Sequence, residues 1–149
     1  MVEEKIQELL RKLTDDQLFA VLCTQGDSQP YGSLICFVVS DNLRSAVFAT
    51  PIETKKYRLL SACDRVALVV DSRNRYPDDL TKISAFTATG QAIQLTEGEE
   101  YQDWAARLIG RHPDQREFVE SDTTALFRVD FDRFYYVSGI GDTRQWIPK

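Results

Sequence analysis

The chain has 149 residues, enough for one domain with a core of its own, and its apolar (43%) and charged (28%) fractions are those of an ordinary globular protein. A net charge of −5 argues against general nucleic-acid binding, which needs a basic surface to displace counterions. No apolar run is long enough to span a bilayer and the N-terminal MVEEKIQELLRKL has no signal-peptide core, so the cytoplasm is the expected compartment, with no membrane partner.

Ile6, Leu9, Leu10 and Leu13 recur at helical spacing and predict an amphipathic helix over about 2–13, broken by Thr14-Asp15-Asp16. Leu18 to Thr24 reads as a buried strand, Gln25 to Pro30 as turn chemistry, and Ser33 to Ser40 as a second strand. After Asp41-Asn42, Ser45 to Ala49 reads as a third strand, and the short turns favour antiparallel neighbours. Thr50-Pro51-Ile52-Glu53 fits a capping box with proline at the first helical position, Thr54 is a competing cap, and the helix runs to about Ala62. Val66 to Val70 is a fourth strand and residues 72–79 a polar loop. Ile83 to Leu95 is a long strand with Gly90 as a bulge or bend.

A helical insert is expected over about 97–120. Its main helix carries Tyr101, Trp104, Leu108 and Ile109 on one face and ends at Gly110, and a short helix follows near 114–120. Ala125 to Val129 and Phe134 to Ser138 read as two further strands. Trp146 then lies past the last strand, where it would cap a pocket or a partner subunit. Strands with hairpin-like spacing and helices inserted late predict a mainly β (α+β) domain over 1–149, a small antiparallel barrel with peripheral helices. No GxGxxG follows a strand, which disfavours a doubly wound fold.

The chain has one histidine, His112, so a triad has a single possible base, and no GxSxG elbow is present. His112 could serve as an axial haem ligand, although nothing around it singles it out, and its place before Pro113 suits a structural role. Cys23, Cys36 and Cys63 lie in apolar runs without CxxC spacing, which points to buried free thiols and no metal site. The paired acids Asp15-Asp16, Asp78-Asp79 and Glu99-Glu100 suit helix caps and solvated turns. Lys55 and Lys56 are different. Cations are disfavoured at a helix start, where unpaired N–H groups welcome anions, so two lysines there with the Thr50 and Thr54 hydroxyls read either as a phosphate seat or as two solvated surface lysines.

The segment VFATPIETKKYRLLSACDRVALVV resembles the pyridoxamine 5′-phosphate oxidase-like, FMN-binding split-barrel superfamily: a strand ending Phe-x-Thr, a loop with Thr-x-Lys, a helix, then the next strand. LFAVLCTQGDSQPYGSLICFVV resembles that family's first hairpin, and FYYVSGIG resembles the closing strand and Gly-x-Gly turn of its haem-utilisation branch. The resemblance implies a split barrel that forms a homodimer with FMN at the subunit interface, and electron or hydride exchange with a small-molecule redox partner. It implies phosphate contacts from Lys56 and Lys55 with Thr50 and Thr54. Ser33, Leu34 and Ile35 would line the flavin, and Phe48 and Ala49 would run beside its phosphate and ribityl chain. F420 and haem are the alternative ligands, and a non-catalytic binder is the alternative role. The family's Arg-Gln pair is replaced here by Ser84-Ala85, its C-terminal Arg-x-His is missing, and no histidine follows His112. These departures argue against vitamin B6 oxidation and haem oxygenase activity.

Overall fold

The computed structural model describes residues 2–149. Helix α1 (Val2–Asp16) buries Ile6, Leu10 and Leu13, one stripe at 3.6-residue periodicity, against the barrel. It continues past residue 13 because its terminal carbonyls find a donor: the Arg111 guanidinium donates to the carbonyls of Thr14 and Gln17.

Strands β1 (Phe19–Gly26) and β2 (Gln29–Val39) form a hairpin through Asp27 and Ser28, both at positive φ (50° and 62°), the two-residue turn whose twist matches that of paired strands. The strands therefore reach further into the expected 25–30 turn than its polar composition suggested. Strand β3 (Ser45–Pro51) pairs with β2. Helix α2 spans Lys55–Ala62 and strand β4 spans Arg65–Asp71. A single 3-10 turn at Leu80–Lys82 leads into β5 (Ser84–Gln94).

Helix α3 (Glu99–Arg111), a 3-10 turn (Pro113–Gln115) and α4 (Arg116–Val119) make up the insert. Gly110 does not end α3: the helix runs one residue further and His112 caps it, its N–H donating to the Leu108 carbonyl. Strand β6 is continuous from Thr124 to Ser138, where two strands were expected, and β7 (Asp142–Trp146) was not expected.

All pairings are antiparallel, in the order β3-β2-β1-β4-β5-β6-β7, and β3 also pairs with β6. The first six strands thus close a barrel, as the split-barrel expectation required. One edge of β6 takes β3 along residues 124–130 and β7 along 134–138. That shared edge explains why β6 must be long. Opposite it, β5 pairs along β6 with a register shift between Thr89 and Gly90. A Cβ on Gly90 would stand 2.3 Å from the Asp130 carbonyl oxygen, so only glycine admits this close approach.

The barrel interior holds Leu22, Phe37, Phe48, Leu68, Phe86, Phe134 and their neighbours. A second apolar cluster joins Leu108 and Ile109 of α3 to Val38, Val47 and Leu126 on the outside of the barrel. The three cysteines are free and half-buried, more accessible than expected, and burial raises the thiol pKa of Cys23 and Cys36. No helix among the described residues is long and apolar enough to cross a membrane.

Candidate functional site

The end of β3 and the start of α2 are built differently from the capping box read in the sequence. Thr50 and Pro51 stay in the ladder, opposite Ala125 and Thr124 of β6, so neither starts a helix. Thr54 is the cap: its Oγ1 accepts from the Tyr57 N–H at 3.2 Å and donates to the Pro51 carbonyl at 2.8 Å. This makes Lys55 and Lys56 the first two residues of the helix, with no acid in its first turn.

The two lysines then diverge. Lys55 is exposed and its ammonium lies 4.9 Å from the centre of the Tyr31 ring, a cation–π contact. Lys56 is half-buried and lines a cleft of about 160 Å³ with Leu34, Ile35, Cys36, Ala49 and Pro51. The insert closes the far side with Leu108, Gln115, Phe118 and Val119. Desolvation among these apolar groups lowers the Lys56 pKa, and no acid is paired with its ammonium among the described residues. A charge held away from water without a counter-charge is costly, and a bound anion relieves that cost. The donor chemistry therefore fits a ligand that carries a phosphate.

Of the other residues expected at a site, Leu34, Ile35 and Ala49 share this cleft with Lys56. The rest do not line it. Thr50 is fully buried and its Oγ1 is taken up by the Pro51 carbonyl (3.5 Å) and Thr54 Oγ1 (3.3 Å). Phe48 points into the barrel and stacks on Phe127 with centroids 5.7 Å apart. The Ser33 hydroxyl is buried without a hydrogen-bond partner. Trp146 does not lie past the last strand: it ends β7, is buried, and packs on Phe134 at 5.5 Å. Sequence reasoning missed Cys36 and the insert residues Gln115 and Phe118. The local pattern of Gln115 and Phe118 carries no signal, because only the docking of the insert on the barrel brings them to Lys56, whereas Cys36 follows Ile35 on β2.

His112 is buried at the end of α3, and its Nε2–H donates to the Phe37 carbonyl at 3.0 Å. Both its burial and its bond give it a structural task, the fastening of the insert to β2.

Beside the cleft, cross-strand register assembles an apolar sheet face. Leu34, Val21, Val69 and Thr87 form one row across β2, β1, β4 and β5, and Gly32, Cys23, Ala67 and Thr89 form the next. None of these eight is charged and none is fully buried; Leu34 is 67% exposed and neighbouring Phe19 53%.

The family model for pyridoxamine 5′-phosphate oxidase matches residues 2–138. The chain belongs to the pyridoxamine 5′-phosphate oxidase family. No curated protein matches this family member in sequence. Among solved structures, it is similar to a protein from Clostridium acetobutylicum related to general stress protein 26 of B. subtilis, of the pyridoxinephosphate oxidase family (12% identity, 97% and 95% of the two chains, TM-score 0.75). It is also similar to HutZ, the haem storage protein from Vibrio cholerae (12% identity, 95% and 93%, TM-score 0.74). A third likeness is to a haem-binding protein from Mycobacterium smegmatis (16% identity, TM-score 0.82), where 93% of this chain spans 56% of the other. At these identities the likeness establishes the shared fold of this pyridoxamine 5′-phosphate oxidase family member.

Proposed function

We propose that this protein is an FMN-binding flavoprotein in which Lys56 neutralises the cofactor phosphate, and that it acts as an oxidoreductase. The observation that carries this reading is the half-buried Lys56 ammonium, unpaired and desolvated, in a cleft whose other wall is uncharged and mostly apolar. The flavin, when bound, supplies the electron or hydride transfer. The chain's own part is to hold it. Lys56 binds the phosphate, Leu34, Ala49 and Phe118 offer apolar contact, and the insert excludes water from one side. No side chain in the cleft has the character of an obligatory acid or base.

The same cleft supports reading the protein as a homodimer. Its volume of about 160 Å³ falls short of the roughly 300–1,000 Å³ of complete small-molecule sites, so a second wall is needed. The uncharged face of β2, β1, β4 and β5 adjoins it through Leu34 and is the kind of apolar patch that marks an interface. We read the protein as cytoplasmic, in keeping with a flavin exchanging electrons with a small soluble partner.

Haem is the second candidate ligand, favoured by the names of two structural neighbours. Ligation by His112 is at odds with its burial and its bond to Phe37. F420 shares the phosphate chemistry that Lys56 suits.

The test is an absorbance spectrum of the purified protein, followed by FMN titration and mass spectrometry of whatever heat releases. Flavin bands, or saturable FMN binding weakened about tenfold or more in Lys56→Met, are the expected result. A protein that is colourless and indifferent to added FMN refutes the reading; a Soret band on haem addition, unchanged in His112→Ala, redirects it to haem carriage through another ligand.

A further inference from the structure

A second cleft, of about 510 Å³, lies between the first turns of α1 and the end of β7. It shares no lining residue with the Lys56 cleft. Its floor is Ile6 and Trp146, both nearly buried and part of the barrel core, and Ile147 adds an exposed apolar wall.

The rim has the opposite character. Arg133, Arg144 and Lys149 line it against a single acid, Glu3, in a chain whose net charge is −5. Arg133 donates to Gln145 Oε1 at 2.8 Å, a neutral acceptor that orients the guanidinium, and the acid it acts on is Asp132, which is itself engaged by Thr89 and Arg65. Arg144 lies 3.8 Å from Asp142, and Lys149 lies 3.5 Å from Glu3. Both pairs are solvent-exposed, and such pairs are weak enough for a better anion to displace them. An apolar floor with a few convergent cations, at a volume within the usual range for small-molecule sites, calls for a ligand that is apolar at one end and anionic at the other.

We propose that this cleft binds an amphipathic carboxylate, its acyl or aryl tail on Trp146, Ile6 and Ile147 and its carboxylate on the Arg144 and Arg133 guanidiniums. This goes beyond the flavin reading and does not depend on it, because the two clefts are lined by different residues.

Trp146 provides the readout. The full-length protein carrying Trp104→Phe retains Trp146 as its one indole, and its fluorescence is followed during titration with decanoate, with decanol as the uncharged control, in the presence and absence of saturating FMN. The expected result is a saturable change with decanoate at least about tenfold tighter than decanol, and a loss of about tenfold in Arg144→Gln or Arg133→Gln, the scale of a charge-assisted contact. Ile147→Asp, at an exposed position that does not threaten folding, is expected to weaken both ligands. Equal affinity for decanoate and decanol, or decanoate binding that survives Arg144→Gln together with Ile147→Asp, overturns the proposal. So does displacement of decanoate by FMN, which would make this cleft a partner-side wall of the flavin site.

Discussion

The sharpest prediction concerns the two sides of the Lys56 balance. In the ligand-free protein the ammonium is desolvated and unpaired, which lowers its pKa below the unfolded value of about 10.5. A lysine with a depressed folded pKa destabilises the fold wherever it is charged. Between the folded and unfolded pKa values the unfolded chain binds more protons, so stability rises with pH through that window. Lys56→Met removes this term. The variant should be at least as stable as the wild type at pH 7, and it should lose the wild type's rise in stability as the pH approaches about 10.5 from below, as read from urea titrations at several pH values. FMN binding should move the other way. A charge-assisted contact is worth about 1.5–3 kcal/mol, and the half-exposed setting of Lys56 places it toward the lower end. That corresponds to roughly 10- to 30-fold in Kd, since about 1.4 kcal/mol is tenfold. Wild-type affinity should fall with salt and that of Lys56→Met much less. Lys55→Met should change Kd less than Lys56→Met, because the Lys55 ammonium rests on Tyr31. Equal FMN affinity in wild type and Lys56→Met, measured by isothermal titration, refutes the assignment of the phosphate to this cleft.

Three further outcomes are expected. Gly90→Ala forces a Cβ against the Asp130 carbonyl and should cost about 1–3 kcal/mol, read as a lower urea midpoint with the slope unchanged; a neutral result would mean that the bulge can shift. His112→Ala removes a buried ring and its bond to Phe37 and should cost about 2–4 kcal/mol of stability while leaving any haem-induced absorbance intact; a Soret band lost on this substitution, in protein still folded by circular dichroism, would restore His112 as a ligand. Val21→Asp places a carboxylate in the Leu34–Val21–Val69 row and should convert a dimer into a monomer by light scattering, with loss of FMN affinity; an unaltered molar mass and affinity would exclude this face as the interface.

Much of this architecture was legible because its causes are local. The α1 stripe, the Asp27-Ser28 hairpin and the Gly90 bulge each express a preference that a few neighbouring residues hold by themselves. Errors fell where a distant partner overrode such a preference. Thr50-Pro51-Ile52-Glu53 has the residue types of a capping box, yet the β3–β6 ladder keeps Thr50 and Pro51 extended and passes the cap to Thr54. Residues 130–133 separate two apolar runs and invite a break, but β6 continues as one strand with Asp132 as the extra residue opposite Thr89-Gly90, its carboxylate accepting hydrogen bonds from Thr89 and Arg65 that hold its pKa below the usual range.

The candidate site divides along the same line. Sequence alone placed two cations in the first turns of a helix that follows a strand, since order along the chain is all that this requires; the β3–β6 ladder made them its first two residues. Only the tertiary structure decided that Lys56 enters a cleft while Lys55 lies on Tyr31, that Trp146 is core, and that the insert supplies the cleft's far wall. The physical reason is that desolvation is a property of packing. A lysine side chain is the same at positions 55 and 56, and it becomes a costly unpaired charge only where Phe118 and Leu108, remote in sequence, close around it.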